Sequence, residues 1–206
     1  MGHAFHTELS KSQGILYHSY SLSLAETAST LFETLALDAI LEKLSLKEQI
    51  IVLHDKISDD ISTIFRQIAC FNFELELHNT IREKGYISKE EIADIHNRNM
   101  KAYLGLLFDL KEDDGYFFVH WSHIRSFFYV YTYAYGQLVS KALISKYYRD
   151  KNFWKSIERF LSAGGKATPE EILEEIGVSV HSGGIWKEGL KQIEKDIDKL
   201  EKLANI

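Results

Sequence analysis

This sequence is poor in residues that break helices and in residues that crosslink chains. It has 1 proline, Pro169, and 12 glycines among 206 residues, so very long stretches are free of helix breakers. An all-β fold needs many turns, and the scarcity of turn residues argues against one. The single cysteine, Cys70, excludes an intramolecular disulfide, and we expect it to be a small buried apolar side chain. We therefore predict an all-α protein.

The chain also lacks a basic surface and a membrane-spanning run. Its net charge is −6 and its charged segments mix both signs, which gives no support to a nucleic acid or an anionic membrane as a partner. The most apolar stretch, residues 116–136, is interrupted by His120, His123 and Arg125, so it falls short of a membrane span. The first residues contain neither a basic region nor an apolar signal core. A reducing, cytoplasmic compartment is the expectation.

Helix starts are marked by Ser45, Ser88 and Thr168, each followed three positions later by Glu. Glycine clusters and the acidic turn at 111–115 mark breaks. No linker or repeat divides the chain, so we predict a single helical domain over residues 1–206, built from long antiparallel helices. The predicted helices are 1–13, 23–44, 46–84, 88–109, 122–148, 151–163, 168–176 and 183–204.

Two carboxylates lie on an otherwise apolar and small-residue segment near the start of the chain. Glu26 and Glu33 are seven residues apart, about two helical turns, so they face the same way on a helix. A buried charge is costly unless it is paired or bound to a metal. The spacing alone leaves two interpretations open, a pair on a solvated face or a pair that serves a site.

The first residues, MGHAFH, resemble the end of the zinc-peptidase motif H-E-x-G-H-x-x-H, without its first two residues. Later segments show a similar likeness, in the same order: YHSYSLSLAETASTLFE, RQIACFNFELELH, HIRSFFYVYTYAYG and TPEEILEEIGV. Over essentially its whole length the chain resembles the oligoendopeptidase F family of thimet-oligopeptidase-like zinc metallopeptidases. The resemblance implies a zincin-type, multi-helix region that forms the C-terminal fragment of a larger catalytic domain.

The resemblance also implies a Zn²⁺ ion as cofactor. His3 corresponds to the second histidine ligand and Glu26 to the glutamate ligand, and an open fourth position would hold a water. Glu33 corresponds to a carboxylate that hydrogen-bonds a ligating imidazole. His6 corresponds to the additional histidine that often follows the motif, and the resemblance places it, like Glu33, beside the metal ligands.

The family further places a histidine and tyrosines where the oxyanion of the reaction develops. The resemblance assigns His123 to this role, with Tyr133 as the stronger tyrosine candidate and Tyr129 as the weaker one. On the predicted helix 122–148 the two tyrosines are one turn apart. The chain departs from many relatives in carrying Arg125 where they have a tyrosine, so the identity of the tyrosine donor is left open.

The implied function is zinc-dependent endopeptidase hydrolysis of short oligopeptides. In relatives the first histidine ligand and the general-base glutamate come directly before residue 1, so we expect this chain alone to be inactive. Apolar surface left exposed, including residues 117–135, would then favour a homo-oligomer. A non-catalytic helical interaction module that has kept the fold is the alternative. A bundle that binds a hydrophobic ligand through 122–135 is a third possibility, although it leaves the carboxylate pair without a role.

Overall fold

The computed structural model describes residues 1–205, which form helices and connecting segments with no β-strand among them. The prediction of an all-α fold is confirmed. In this part of the chain no helix is both long enough and apolar enough to cross a lipid bilayer. The α-helices are α1 (Gly2–Ser10), α2 (Leu22–Leu41), α3 (Leu46–Ile61), α4 (Gln67–Lys84), α5 (Lys89–Leu104), α6 (Tyr131–Arg149), α7 (Trp154–Ser162), α8 (Pro169–Glu175) and α9 (Gly184–Ala204).

The three predicted helix starts lie where the sequence places them. At α5 the Ser88 hydroxyl accepts a hydrogen bond from the Glu91 N–H, and the Glu91 carboxylate accepts one from the Ser88 N–H. The same reciprocal pair begins α8 at Thr168. At α3 the Glu48 carboxylate accepts from the Ser45 N–H at 2.9 Å. These bonds satisfy backbone donors that have no partner within the helix, which is why the motif fixes a helix start.

Three predicted helices differ from the structure, and the predicted helix 88–109 does so at its end, because α5 stops at Leu104. The predicted helix 46–84 contains a π-helical turn at Ser62–Arg66, between α3 and α4. The predicted helix 122–148 is wrong in its first part, because α6 begins only at Tyr131. Two 3₁₀ segments, Glu112–His120 and Ser122–Ser126, come before it. Between the second 3₁₀ segment and α6, the chain cannot continue as an α-helix, because Phe127 and Phe128 have positive φ angles.

The described chain divides into two compact units, residues 1–60 with 135–205, and residues 61–134. In the first unit the core contains fully buried side chains such as Leu31, Leu143 and Phe160. In the second unit smaller apolar clusters form around Cys70 and Phe73. Compact units can belong to one cooperatively folding domain, so the single helical domain over 1–206 stays a prediction. The predicted burial of Cys70 is confirmed.

Candidate functional site

The first two helices touch at a glycine beside the predicted zinc ligands. A Cβ atom at Gly2 would lie 2.5 Å from the carbonyl oxygen of Ala28, so only glycine lets α1 approach α2 this closely. His3 is the next residue of α1, and its side chain is exposed. Glu26 lies two positions before Ala28 on α2 and is half-buried. The backbone of both predicted ligands therefore lies at one helix contact.

A second glycine holds α2 against α6 at the same place. A Cβ atom at Gly136 would lie 2.8 Å from the carbonyl carbon of Glu26 and 2.8 Å from the backbone nitrogen of Thr27. The Thr30 hydroxyl donates a hydrogen bond to the carbonyl oxygen of Gly136 at 3.2 Å. The turn of α2 that carries Glu26 is thus packed between the main chains of two neighbouring helices.

Replacing Gly136 by alanine should lower the free energy of unfolding by about 1–3 kcal/mol, because the added methyl group overlaps backbone that has no room to move. Chemical denaturation of the variant measures this loss. Gly184→Ala is the matched control, since the nearest atom to its Cβ is the Ser182 hydroxyl at 3.4 Å and α9 begins there. A change within about 0.5 kcal/mol is expected for the control. Equal effects of the two substitutions would contradict the packing argument.

The chemistry of these side chains suits zinc. An imidazole nitrogen and a carboxylate oxygen are both common zinc donors, and the exposed ring of His3 is accessible to an ion. Among residues 1–205, His, Cys, Asp and Glu side chains form no group of three or more that could hold a metal. The described residues therefore fit part of a zinc site, and the assignment of His3 and Glu26 as ligands stays a prediction.

His6 is a fully buried side chain that packs on an aromatic ring. Its imidazole stacks on the ring of Tyr20, with centroids 3.5 Å apart and planes at 9°. Neither ring nitrogen has a hydrogen-bond partner within the described part of the chain. Burial, reinforced by the charge of His3, lowers the pKa of His6 to about 4. His6 is therefore a neutral packing residue at neutral pH, and its predicted role beside the metal stays untested.

Glu33 borders a cavity of about 250 Å³ between α2, α3 and α6. Burial raises the pKa of its carboxyl, and the charges of Asp59 and Asp60 raise it further, while Lys141 opposes them. Glu33 is nevertheless an exposed side chain by surface area. It therefore lies in an acidic environment, which favours a partner that donates a hydrogen bond, such as the imidazole implied by the family resemblance.

Asp60, which lines this cavity, belongs to a buried ion pair. The Lys141 ammonium lies 2.6 Å from a carboxylate oxygen of Asp60, and both side chains are almost completely buried. The Gln137 amide donates a hydrogen bond to the other oxygen of Asp60. Sequence reasoning missed this network. The signal that could have revealed it is a lone lysine inside the apolar run of α6, which requires a buried partner.

In the second unit the three predicted oxyanion donors form one cluster. The Tyr133 hydroxyl and the His123 Nε2 atom are hydrogen-bonded at 3.1 Å. The rings of His123 and Tyr129 stack with centroids 4.9 Å apart, and the rings of Tyr129 and Tyr133 lie 5.4 Å apart. The expectation that both tyrosines share one helix is wrong, because Tyr129 precedes α6. Their donor roles stay predictions.

The backbone between His123 and Tyr129 has an unusual conformation. Phe127 and Phe128 have φ angles of 46° and 54°, a conformation that side chains with a Cβ rarely adopt. The Phe128 N–H donates a hydrogen bond at 2.7 Å to the carboxylate of Glu74, which is 2% exposed. Arg125, the departure from the family pattern, is exposed and donates to the carbonyl oxygen of Val119 at 3.4 Å. The buried carboxylate thus stabilises the turn that precedes Tyr129.

The chain is similar to known peptidases along almost all of its length. Residues 1–191 match the model of Peptidase family M3. Oligopeptidase PepF of Bacillus subtilis (strain 168) is 29% identical over 98% of this chain and 31% of its own length. Oligoendopeptidase F, chromosomal, of Lactococcus lactis subsp. cremoris is 28% identical over 99% of this chain and 34% of its own length.

Solved structures share the fold. A crystal structure of a Chlamydophila abortus protein superposes with a TM-score of 0.87 at 27% identity, over 98% of this chain and 34% of that one. Oligoendopeptidase-F from Enterococcus faecium superposes with a TM-score of 0.80 at 23% identity, over 99% of this chain and 37% of that one.

This chain spans about a third of the length of the relatives it matches. The resemblance to oligoendopeptidase F drawn from the sequence segments is confirmed by the relatives that cover the chain. The match covers residues 1–191, the range in which the predicted site residues lie. The chain belongs to peptidase family M3.

Proposed function

We propose that these residues form part of a zinc-dependent metalloendopeptidase that hydrolyses short oligopeptides. The observation that carries the proposal is the glycine contact between α1 and α2, which places the backbone of His3 next to the turn of Glu26. Membership of a peptidase family and the names of the relatives support a peptide as substrate. A cytoplasmic location is part of the same proposal.

The residues near the start of the chain would bind the zinc ion and orient its ligands. His3 and Glu26 would hold the zinc ion, and Glu33 would accept a hydrogen bond from a ligating imidazole and fix its orientation. Zinc, when bound, acts as a Lewis acid that polarises a carbonyl oxygen and lowers the pKa of a water. His6 would support α1 from within the core, through its stacking on Tyr20.

His123, Tyr133 and Tyr129 would donate hydrogen bonds to the oxyanion that develops on the scissile carbonyl. The hydrogen bond between Tyr133 and His123 holds the two side chains in a fixed mutual orientation. Donors that are oriented in advance stabilise charge without reorganising during the reaction. Tyr133 is the stronger tyrosine candidate: with the His123 Nε2–H donating to its oxygen, the Tyr133 hydroxyl can donate its own proton to the oxyanion.

A polypeptide of these 206 residues alone should be inactive, because zinc hydrolysis needs three protein ligands and a general base. The family resemblance supplies only His3 and Glu26 as ligands here. The alternative function, a non-catalytic interaction module, is favoured by apolar side chains at the surface, such as Leu106 and Leu107, which are 95% and 94% exposed. Homo-oligomerisation through such side chains stays a prediction.

Zinc binding tests the ligand assignment directly on this chain. Calorimetric titration with zinc should show one weak site, and Glu26→Gln should weaken it by more than about tenfold, since even partners of metal ligands change affinity by that much. Glu42→Gln, just beyond α2 and exposed, is the matched control and should leave the affinity unchanged. Equal zinc affinities of the two variants would rule out Glu26 as a ligand.

Activity is tested in an extended polypeptide in which the corresponding upstream part of the Bacillus subtilis relative precedes Met1. This protein should cleave a quenched fluorescent oligopeptide, lose activity to a zinc chelator and regain it with added zinc. Glu26→Gln should lower kcat/KM about a thousandfold or more. Cleavage that persists in the chelator would contradict zinc dependence, and cleavage by the 206-residue chain alone would contradict its expected inactivity.

A further inference from the structure

The second unit contains a cavity of about 360 Å³ beside the histidine–tyrosine cluster. This volume is in the range of pockets that bind small ligands. Its wall combines side chains that donate hydrogen bonds with two aromatic rings, those of Phe117 and Trp121, whose centroids lie 6.4 Å apart. The donors include Arg66, Gln67, His120, Ser122 and His123.

The charge of this cavity differs from that of the chain as a whole. The net charge of the protein is −6, yet none of the described residues that line the cavity is Asp or Glu. Arg66 is exposed to solvent and forms no ion pair with any residue in the range 1–205. An unpaired guanidinium in an otherwise carboxylate-free wall is suited to an anion from outside the chain.

The positive charge of Arg66 acts on a buried side chain of the cavity wall. Burial raises the pKa of the Cys70 thiol, which lines the cavity, to about 12, and the charge of Arg66 opposes that rise. Glu74 acts in the opposite direction, more weakly, and its carboxylate is already bound by the Phe128 N–H. Of these two charges, the Arg66 guanidinium therefore has the larger effect on the Cys70 thiol.

Irregular backbone positions the wall from two sides. Arg66 is the last residue of the π-helical turn Ser62–Arg66, and Gln67 is the first residue of α4. Such turns are rare, and they occur frequently at functional sites. On the other side, the strained pair Phe127 and Phe128 leads into Val130, which also lines the cavity. Strain held by surrounding structure is a further mark of a ligand site.

We propose that this cavity binds a carboxylate group of a peptide, with Arg66 as the anchoring residue. The planar guanidinium matches a carboxylate with two parallel hydrogen bonds, and Gln67 and His120 can donate to the same group. Phe117 and Trp121 would contact the side chain next to it. The proposal rests on the proposed function for the identity of the ligand as a peptide, and it names a specificity element of that site.

Two sources can supply this carboxylate, the C-terminus of the peptide or an acidic side chain. Three probes separate them: the tripeptide Ala-Ala-Phe as the free acid, its C-terminal amide, and Ala-Asp-Phe amide. Binding to the 206-residue chain is followed by NMR through the indole N–H signal of Trp121, identified with Trp121→Phe. We expect the free acid to bind at least about tenfold more tightly than the neutral amide.

Arg66→Gln should remove the preference for the free acid and leave the weak binding of the neutral amide unchanged. Arg82→Gln is the matched control, because Arg82 is an exposed arginine of the same unit that donates to Asn79 and lies outside the cavity. If Ala-Asp-Phe amide binds as tightly as the free acid and depends on Arg66, the pocket accepts an acidic side chain as well. Equal affinities for all three probes, or equal effects of the two arginine variants, would overturn the proposal.

Failure of this inference is separable from failure of the proposed function. The titration measures binding without zinc and without hydrolysis. If the extended polypeptide cleaves peptides but the free acid and the amide bind with equal affinity, the proposed carboxylate site is refuted and the proposed peptidase function is supported. If the preference for the free acid depends on Arg66 but the extended polypeptide does not cleave peptides, the carboxylate site is supported and the proposed peptidase function is refuted.

Discussion

Replacing Lys141 by methionine should lower the free energy of unfolding by about 3–5 kcal/mol. The Lys141 side chain is 0% exposed and pairs with Asp60 at 2.6 Å, so the substitution leaves a carboxylate buried without its counter-ion. Typical domains are stable by only about 5–15 kcal/mol, so this loss is a large share of the total. Urea denaturation monitored by circular dichroism measures it.

The double variant Lys141→Met with Asp60→Leu distinguishes an unpaired charge from a simple packing defect. Removing both charges should restore most of the stability that the single change loses, because buried ion pairs contribute little beyond an apolar pair of similar volume. Lys187→Met, at an exposed position of α9, is the surface control and should change stability by less than about 0.5 kcal/mol. A double variant no more stable than the single one would show that the ion pair itself is required.

Lowering the pH should destabilise the protein through His6. Its imidazole has a pKa of about 4 in the fold, against 6.5 in the unfolded chain, so the unfolded state binds more protons between these values. The free energy of unfolding should therefore rise with pH from about 4 to 6.5 and level off above. The full contribution of this fully buried group is about 3 kcal/mol. Denaturation curves across this range, recorded in EDTA, measure it.

His6→Phe isolates this contribution, because phenylalanine can keep the stacking on Tyr20 and cannot take up a proton. The variant should show a flatter dependence on pH than the wild type, although burial also lowers the pKa of His96 and leaves a residual slope. His18→Gln removes an exposed histidine and should leave the slope unchanged. Identical slopes for wild type and His6→Phe would contradict a neutral buried His6.

The helices were predictable because their ends carry local signals. The capping pairs that begin at Ser88 and Thr168 act within four residues, and a sequence displays all of the partners that such a pair needs. The scarcity of proline and glycine predicted the all-α class, and the resemblance of segments in the same order predicted the family. These are properties that short stretches of sequence determine.

The turn before α6 was not predictable, because its cause lies far away in the sequence. Aromatic residues such as Phe127 and Phe128 are compatible with a helix, and a helix was expected there. The bond that fixes the turn comes from Glu74, 54 residues earlier, on a different helix. Sequence spacing also cannot show that Lys141 pairs with Asp60, which is 81 residues away. The buried network of Lys141, Asp60 and Gln137 was missed for this reason.

The candidate site residues were reached by resemblance and not by pattern. Glu26 and Glu33 share a face of α2 as their spacing requires, yet spacing does not say that Glu33 borders a cavity with Asp59 and Asp60. The clustering of His123 with Tyr133 depends on the turn that sequence reasoning missed. The family resemblance thus named the side chains, whereas their grouping follows from long-range contacts.

The two glycines that flank Glu26 restrict how this protein can evolve. A methyl group at Gly2 would collide with the carbonyl group of Ala28, and one at Gly136 would collide with the carbonyl carbon of Glu26 and the nitrogen of Thr27. A lineage can exchange most residues of α2 and compensate by repacking side chains, but no side-chain exchange makes room for a methyl group at these positions. A substitution of either glycine by a larger residue is therefore not tolerated unless the helices move apart.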